Sequence, residues 1–151
     1  MPRLCDRTLV ERSVEQTQEG LERFFALLRS GNGVARFRLR VPTDGAPHGY
    51  GISFDREVRI EARRRGAGVA DDAIEISWFP EGTLVFPIFE GTLVVRSASD
   101  RNVSRIELEG SYTPPFDVAG MLFDAAIGHR IAQATAREFL KDLKNAIEAT
   151  P

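Results

Sequence analysis

The amino-acid sequence predicts an α+β domain in which a curved antiparallel β-sheet wraps around one long C-terminal α-helix. Three observations lead there. Between residues 34 and 113, apolar and polar residues alternate with period two in short runs separated by glycine, proline or polar turns, the pattern of half-buried strands joined as a meander. Beyond Pro114-Pro115, residues 118–149 are rich in alanine and leucine and contain no proline, as one long helix requires. The 151 residues suit a single domain, long enough to bury roughly 70% of the surface an unfolded chain exposes. One domain over residues 1–151 is therefore expected.

Taken in order, the chain predicts a short strand at residues 9–14 and then a helix at 17–29, where Leu21, Phe24, Phe25 and Leu28 share one face at the i, i+3, i+4, i+7 spacing. Thr17 is its expected cap, and Gly31-Asn32-Gly33 tolerates positive φ beyond its end. Phe37, Leu39 and Val41 then alternate with Arg36, Arg38 and Arg40 in a strand that gives way to a loop at residues 42–51. Phe54, Val58, Ile60 and Ala62 alternate with Glu57, Arg59, Glu61 and Arg63 up to Gly66 and Gly68. Ile74, Ile76 and Trp78 alternate with Glu75 and Ser77 up to Pro80-Glu81-Gly82. Residues 86–97 are apolar on both parities at their start, which fits a strand covered on both faces or one bent at Pro87 or Gly91. After the polar turn Ser99-Asp100-Arg101-Asn102, Ile106, Leu108, Gly110 and Tyr112 alternate with Arg105, Glu107, Glu109 and Ser111. Asp117 is the expected cap of the last helix, and Gly128 is a place for it to bend. At 100° per residue that helix sets Met121, Ala125, His129, Ala132, Ala136, Phe139, Leu143 and Ile147 on one broad face, with Arg130, Arg137, Lys141 and Lys144 largely opposite.

Composition narrows the function. A formal charge of −2 with 28% charged and 42% apolar residues gives no reason to expect a polyanionic partner, so nucleic acid is not expected. The rows Arg36, Arg38, Arg40 and Arg63-Arg64-Arg65 read as a solvated outer sheet face on which Glu57 and Glu61 supply opposite charge. The lone Cys5 cannot close an internal disulfide, which favours a reducing compartment and a cytoplasmic location. The charged first residues carry no apolar stretch of signal-peptide length, and charges interrupt every hydrophobic run, so stable membrane insertion is not expected. Two widely spaced histidines and one cysteine do not make a zinc or iron–sulfur site, and no metal is expected. No dinucleotide fingerprint, Walker motif or nucleophile elbow occurs, and no cofactor is expected. Oligomeric state leaves no mark in the sequence.

The helix face of small residues, Ala125, Gly128, Ala132 and Ala136, opposes strands bearing Trp78, Phe89 and Tyr112. Two arrangements satisfy this: interdigitation into a solid core, or unfilled volume for a ligand. The order of elements, the stretch Phe86-Pro87-Ile88-Phe89-Glu90-Gly91, the strand end Gly110-Ser111-Tyr112-Thr113-Pro114-Pro115 and the helix segment Gly128-His129-Arg130-Ile131-Ala132-Gln133-Ala134-Thr135 resemble the SRPBCC superfamily, the START, polyketide-cyclase and Bet v 1-like helix-grip group. The resemblance covers nearly the whole chain, through patterns of fold rather than catalytic signatures. It implies a hydrophobic cavity between sheet and long helix, used in different members for lipid binding, sterol or quinone transfer, hormone sensing or polyketide cyclisation. Fold does not decide among these.

Candidate cavity residues on the strands are then Arg56, Val58, Ile60, Ile76, Trp78, Phe89, Leu108 and Tyr112. On the helix they are Met121, Ala125, His129, Ala132 and Ala136. His129 could orient a ligand carbonyl or act as a general base, or be a core or rim histidine bonded to the chain. Tyr112 could meet a ligand or bond to the chain near Pro114, and Arg56 could hold an anionic head group or turn to solvent. Three functions follow: binding of a hydrophobic small molecule, lipid, quinone or polyketide-like compound; a cyclase or dehydratase-like enzyme using His129 and Tyr112; and a regulatory protein-interaction module with a vestigial cavity.

Overall fold

The computed structural model describes residues 2–42, 51–64, 73–80, 88–113 and 125–150. Along the chain run β1 (Arg3–Val10), α1 (Val14–Ser30), β2 (Val34–Pro42), β3 (Gly51–Arg64), β4 (Ile74–Pro80), β5 (Ile88–Ser97), β6 (Ser104–Thr113) and α2 (Ala125–Glu148). The six strands form one antiparallel sheet in the order β1-β6-β5-β4-β3-β2. Thus β2 to β6 are a meander, as the alternation predicts, and β1 completes the sheet along the free edge of β6. The sheet curls, with α1 and α2 packed on it. This is the α+β helix-grip architecture.

The first two elements differ from expectation. The strand predicted at residues 9–14 is instead Arg3–Val10, in register from Arg3 opposite Ser111 to Val10 opposite Ser104. Its inward parity is Leu4, Asp6, Thr8, Val10, buried at the ends and only half-buried between; two polar residues in the middle hide the alternation. The helix begins earlier, because Ser13 and not Thr17 is the N-cap. The Ser13 hydroxyl accepts from the Gln16 backbone N–H, and the Gln16 side chain accepts from the Ser13 N–H, a reciprocal capping box. Thr17 lies in the first turn, fully buried, its hydroxyl 2.6 Å from that of Ser104. At the other end Gly33 takes φ 72°, as the glycine-rich stop requires.

On the helical faces, Leu21 and Phe25 are buried, with Phe24 and Leu28 packed partly buried against the same core. From α2 the core takes Ala132, Ala136, Phe139, Leu143 and Ile147, all expected, together with Ile131, Thr135 and Leu140, which widen the buried stripe. Thr135 satisfies its hydroxyl by donating back to the Ile131 carbonyl at 2.7 Å. Gly20 lets the two helices approach, since a Cβ there would collide with the Ile147 side chain. Residues 118–124, including Met121, and the Asp117 cap lie outside the described residues. So do the loop after Pro42, Gly66 and Gly68, Glu81-Gly82 and the Phe86-Pro87 start of the fifth run.

On the outward face of the sheet, Arg36 pairs with Glu57 at 3.1 Å, Arg63 with Glu75 at 2.5 Å and Arg96 with Glu107 at 3.0 Å. The arginines are thus matched across adjacent strands, as expected of a solvated face. The side chains of Arg38, Arg40 and Arg65 are outside the described residues.

Candidate functional site

Register and parity bring the strand candidates together. Ile60 lies opposite Trp78 and Trp78 opposite Phe89, while Phe89 is opposite Tyr112 on the next pair. One inward row thus crosses β3, β4, β5 and β6 and carries three aromatic rings. Trp78 stacks on Phe89 with ring centroids 4.2 Å apart and 20° between planes, and Phe139 of α2 leans on Trp78 at 5.5 Å. Val58, Ile60, Ile76, Trp78, Phe89, Leu108, Ala132 and Ala136 all belong to this one buried cluster. Within it, the small α2 residues Ala132 and Ala136 lie among the large strand residues.

Among the described residues, that apolar cluster carries an unsatisfied polar group. The indole N–H of Trp78 is buried and has no hydrogen-bond acceptor among the described residues. An unsatisfied buried donor costs about 1–3 kcal/mol, and native interiors rarely leave one unexplained.

At the end of this row the chain places its second polar feature. Tyr112 is 3% exposed, and its hydroxyl lies 2.9 Å from Nδ1 of His129. Burial raises the phenol pKa above its ordinary 10.0, so at neutral pH the hydroxyl is protonated. His129 itself is exposed. Its angle on α2 matches the inward face, and it stands near the start of the described helix, beside Tyr112 close to the end of β6. The pair therefore couples a buried phenol to an exposed imidazole. With the phenol donating to Nδ1, the ring keeps Nε2–H to offer outward, where it can bind a carbonyl or carboxylate oxygen. Among the described residues no carboxylate or nucleophile completes a catalytic set around it.

The remaining candidates are less defined. Arg56 sits on β3 opposite Phe37, and Ala125 is the first residue of α2; their side chains, and all of Met121, lie outside the described residues. No group of three or more metal-ligating side chains occurs among the described residues. No helix there is long and apolar enough to cross a membrane. Sequence reasoning missed Ile131 and Leu140 because they lie on the flanks of the predicted α2 stripe, and nothing local marks them as buried.

No family model and no curated protein matches the chain. Solved structures do. A protein from Thermus thermophilus superposes with a TM-score of 0.56 at 16% identity, over 98% of this chain and 98% of its own. A START superfamily protein from Mycobacterium smegmatis gives 0.52 at 13% identity over 99% of both chains. The Zhui aromatase/cyclase from a Streptomyces species gives 0.50 at 15% identity, over 98% of this chain and 92% of its own. At these identities the likeness is one of fold, and it agrees with the helix-grip arrangement described above.

Proposed function

We propose that the protein binds a hydrophobic small molecule, a lipid, quinone or polyketide-like compound, between the sheet and α2, with Tyr112 and His129 at the rim of that space. The observation that carries this reading is the orphan indole N–H of Trp78 inside an otherwise apolar cluster. A ligand bearing a carbonyl or hydroxyl acceptor would satisfy it, while its apolar body replaces side-chain contacts without further polar demands. The START superfamily and aromatase/cyclase neighbours share the fold in which such a space is expected.

Trp78 is the single tryptophan of the chain, so its emission reports on the site directly. Titration with a naphthoquinone should quench or shift that emission saturably and raise the Tm. Trp78→Phe should weaken the quinone about tenfold, the loss expected for one buried hydrogen bond, and leave a naphthalene of the same shape unaffected. A protein that native mass spectrometry finds empty, and that no apolar ligand stabilises, would overturn the reading. A cyclase or dehydratase-like activity is the second reading, favoured by the 2.9 Å contact between Tyr112 and His129. If His129→Ala abolished turnover of an enolisable aromatic ketone while leaving its affinity unchanged, this second reading would replace simple binding.

A further inference from the structure

A separate crevice of about 340 Å³ lies between α1 and the ends of β3, β4 and β5. None of its lining residues belongs to α2, and Trp78, Tyr112 and His129 are not among them. Its apolar lining comes from Leu21, Phe25 and Ala26 of α1 with Ala62, Ile74 and Val95 of the strands. Leu21 and Phe25 are shared with the core, being 1% and 4% exposed, so the crevice is floored by the rigid part of the molecule. Gln18, Glu22, Arg29, Arg63 and Arg64 make the polar rim.

The charges around that rim do not cancel. Arg64 reaches from β3 to Glu22 on α1 at 2.9 Å, and Arg63 is taken up by Glu75 at 2.5 Å. Arg29, in the last turn of α1, makes no ion pair among the described residues. Among the described residues, one cation is therefore left beside an apolar slot. At about 340 Å³, many times the volume one water molecule needs, the crevice has room for a short acyl chain.

We propose that this crevice binds a single acyl chain ending in a carboxylate, of about octanoate length, with its tail against Leu21, Phe25, Ile74 and Val95 and its carboxylate on the Arg29 guanidinium. The apolar lining supplies affinity, and the guanidinium, which matches a carboxylate in two parallel hydrogen bonds, selects the head group. The Arg64–Glu22 pair is no barrier, because both side chains are more than half exposed and such pairs are readily rearranged.

The test is a titration of the ¹⁵N-labelled full chain with octanoate, octanol and acetate, followed by amide shifts. Octanoate should saturate shifts along α1 from Glu22 to Arg29 and at Ala62, Ile74 and Val95, while acetate alone should not bind. Arg29→Gln should weaken octanoate about tenfold and leave octanol unchanged. Ala26 lines the crevice from an exposed position on α1, so Ala26→Phe fills it without disturbing the core and should abolish binding of both. An unaltered spectrum away from α1 verifies the fold of each variant. Saturable shifts confined to α2 and Tyr112, affinity indifferent to both substitutions, or no saturable binding would each overturn the proposal. The first of these outcomes would leave the sheet–α2 site standing, and the naphthoquinone titration of Trp78 is independent of all three.

Discussion

Thr17 and Ser104 illustrate how a single contact can matter without announcing itself. Both side chains are fully buried, and their hydroxyls satisfy each other at 2.6 Å, fastening the first turn of α1 to the first residue of β6. In the sequence Thr17 reads as a helix cap, because a threonine ahead of an apolar-periodic run usually is one. The true cap, Ser13, is marked by the glutamine three residues on, a signal present in the sequence but outweighed by the strand expected there. Removing one hydroxyl strands the other in an apolar setting. Thr17→Val should therefore cost about 1–3 kcal/mol by urea denaturation. Thr17→Val combined with Ser104→Ala should cost less than the sum of the single substitutions, because the second change removes a group already unsatisfied. Strict additivity would mean that the two hydroxyls do not depend on each other. His129 makes the complementary point: its angle on α2 was legible, but its exposure depends on where the helix stands against the sheet, which no local pattern records.

At the level of elements, strands and helix faces were legible wherever the apolar set of one element is complete in itself. The alternations ending at Ala62, Trp78 and Tyr112 each correspond to β3, β4 and β6, and the α2 stripe from Ala132 to Ile147 is buried as its spacing requires. β1 was displaced because only Leu4 and Val10 of its inward parity are buried. What secures the ends of these elements is non-local and was not legible. Arg12 donates to the carbonyls of Glu148 and Thr150 at 2.7 and 3.2 Å, and Lys144 donates to the Leu9 carbonyl and the Glu148 carboxylate, each at 2.7 Å. These contacts tie the end of α2 to the β1–α1 junction and occupy carbonyls that a helix terminus leaves open. The Lys144 hydrogen bond holds the Glu148 carboxyl below its ordinary 4.5. A carboxyl whose pKa is lower in the folded chain contributes stability above its unfolded pKa, and that contribution disappears as the pH falls through the folded value. Glu148→Gln should thus lose about 0.5 kcal/mol at pH 7, and the difference from wild type should vanish below the carboxylate range. A difference that persisted in acid would assign the effect to packing instead of charge.

For the whole molecule, the curled sheet depends on close backbone approaches, and two glycines make one of them. Gly91 and Gly110 face each other across β5 and β6 on the inward parity. A Cβ on Gly91 would run into the Glu109 carbonyl, one on Gly110 into the Glu90 carbonyl and the Gly91 Cα, and both into the Phe89 ring. The bend is therefore open only to residues without a side chain, and the Phe89 ring folds over the space they leave, bringing its face to Trp78. Sequence alone offered Pro87 or Gly91 as places to bend; it could not pair Gly91 with Gly110, which lies on a different strand. The same non-locality hid the α1 crevice, whose lining depends on which strand ends the helix crosses. Because the colliding atoms are mostly backbone, relief requires the strands to open, so Gly110→Ala should cost about 1–3 kcal/mol, as overpacking does. Opening would also draw Phe89 away from Trp78 and shift the tryptophan emission to the red. Adding Gly91→Ala should cost less than it does alone, since the sheet has already yielded at that point. If Gly110→Ala left both stability and emission unchanged, the curl would have to be imposed by α2 packing on the sheet, and the volume available to a ligand would then be set by that helix and not by the strands.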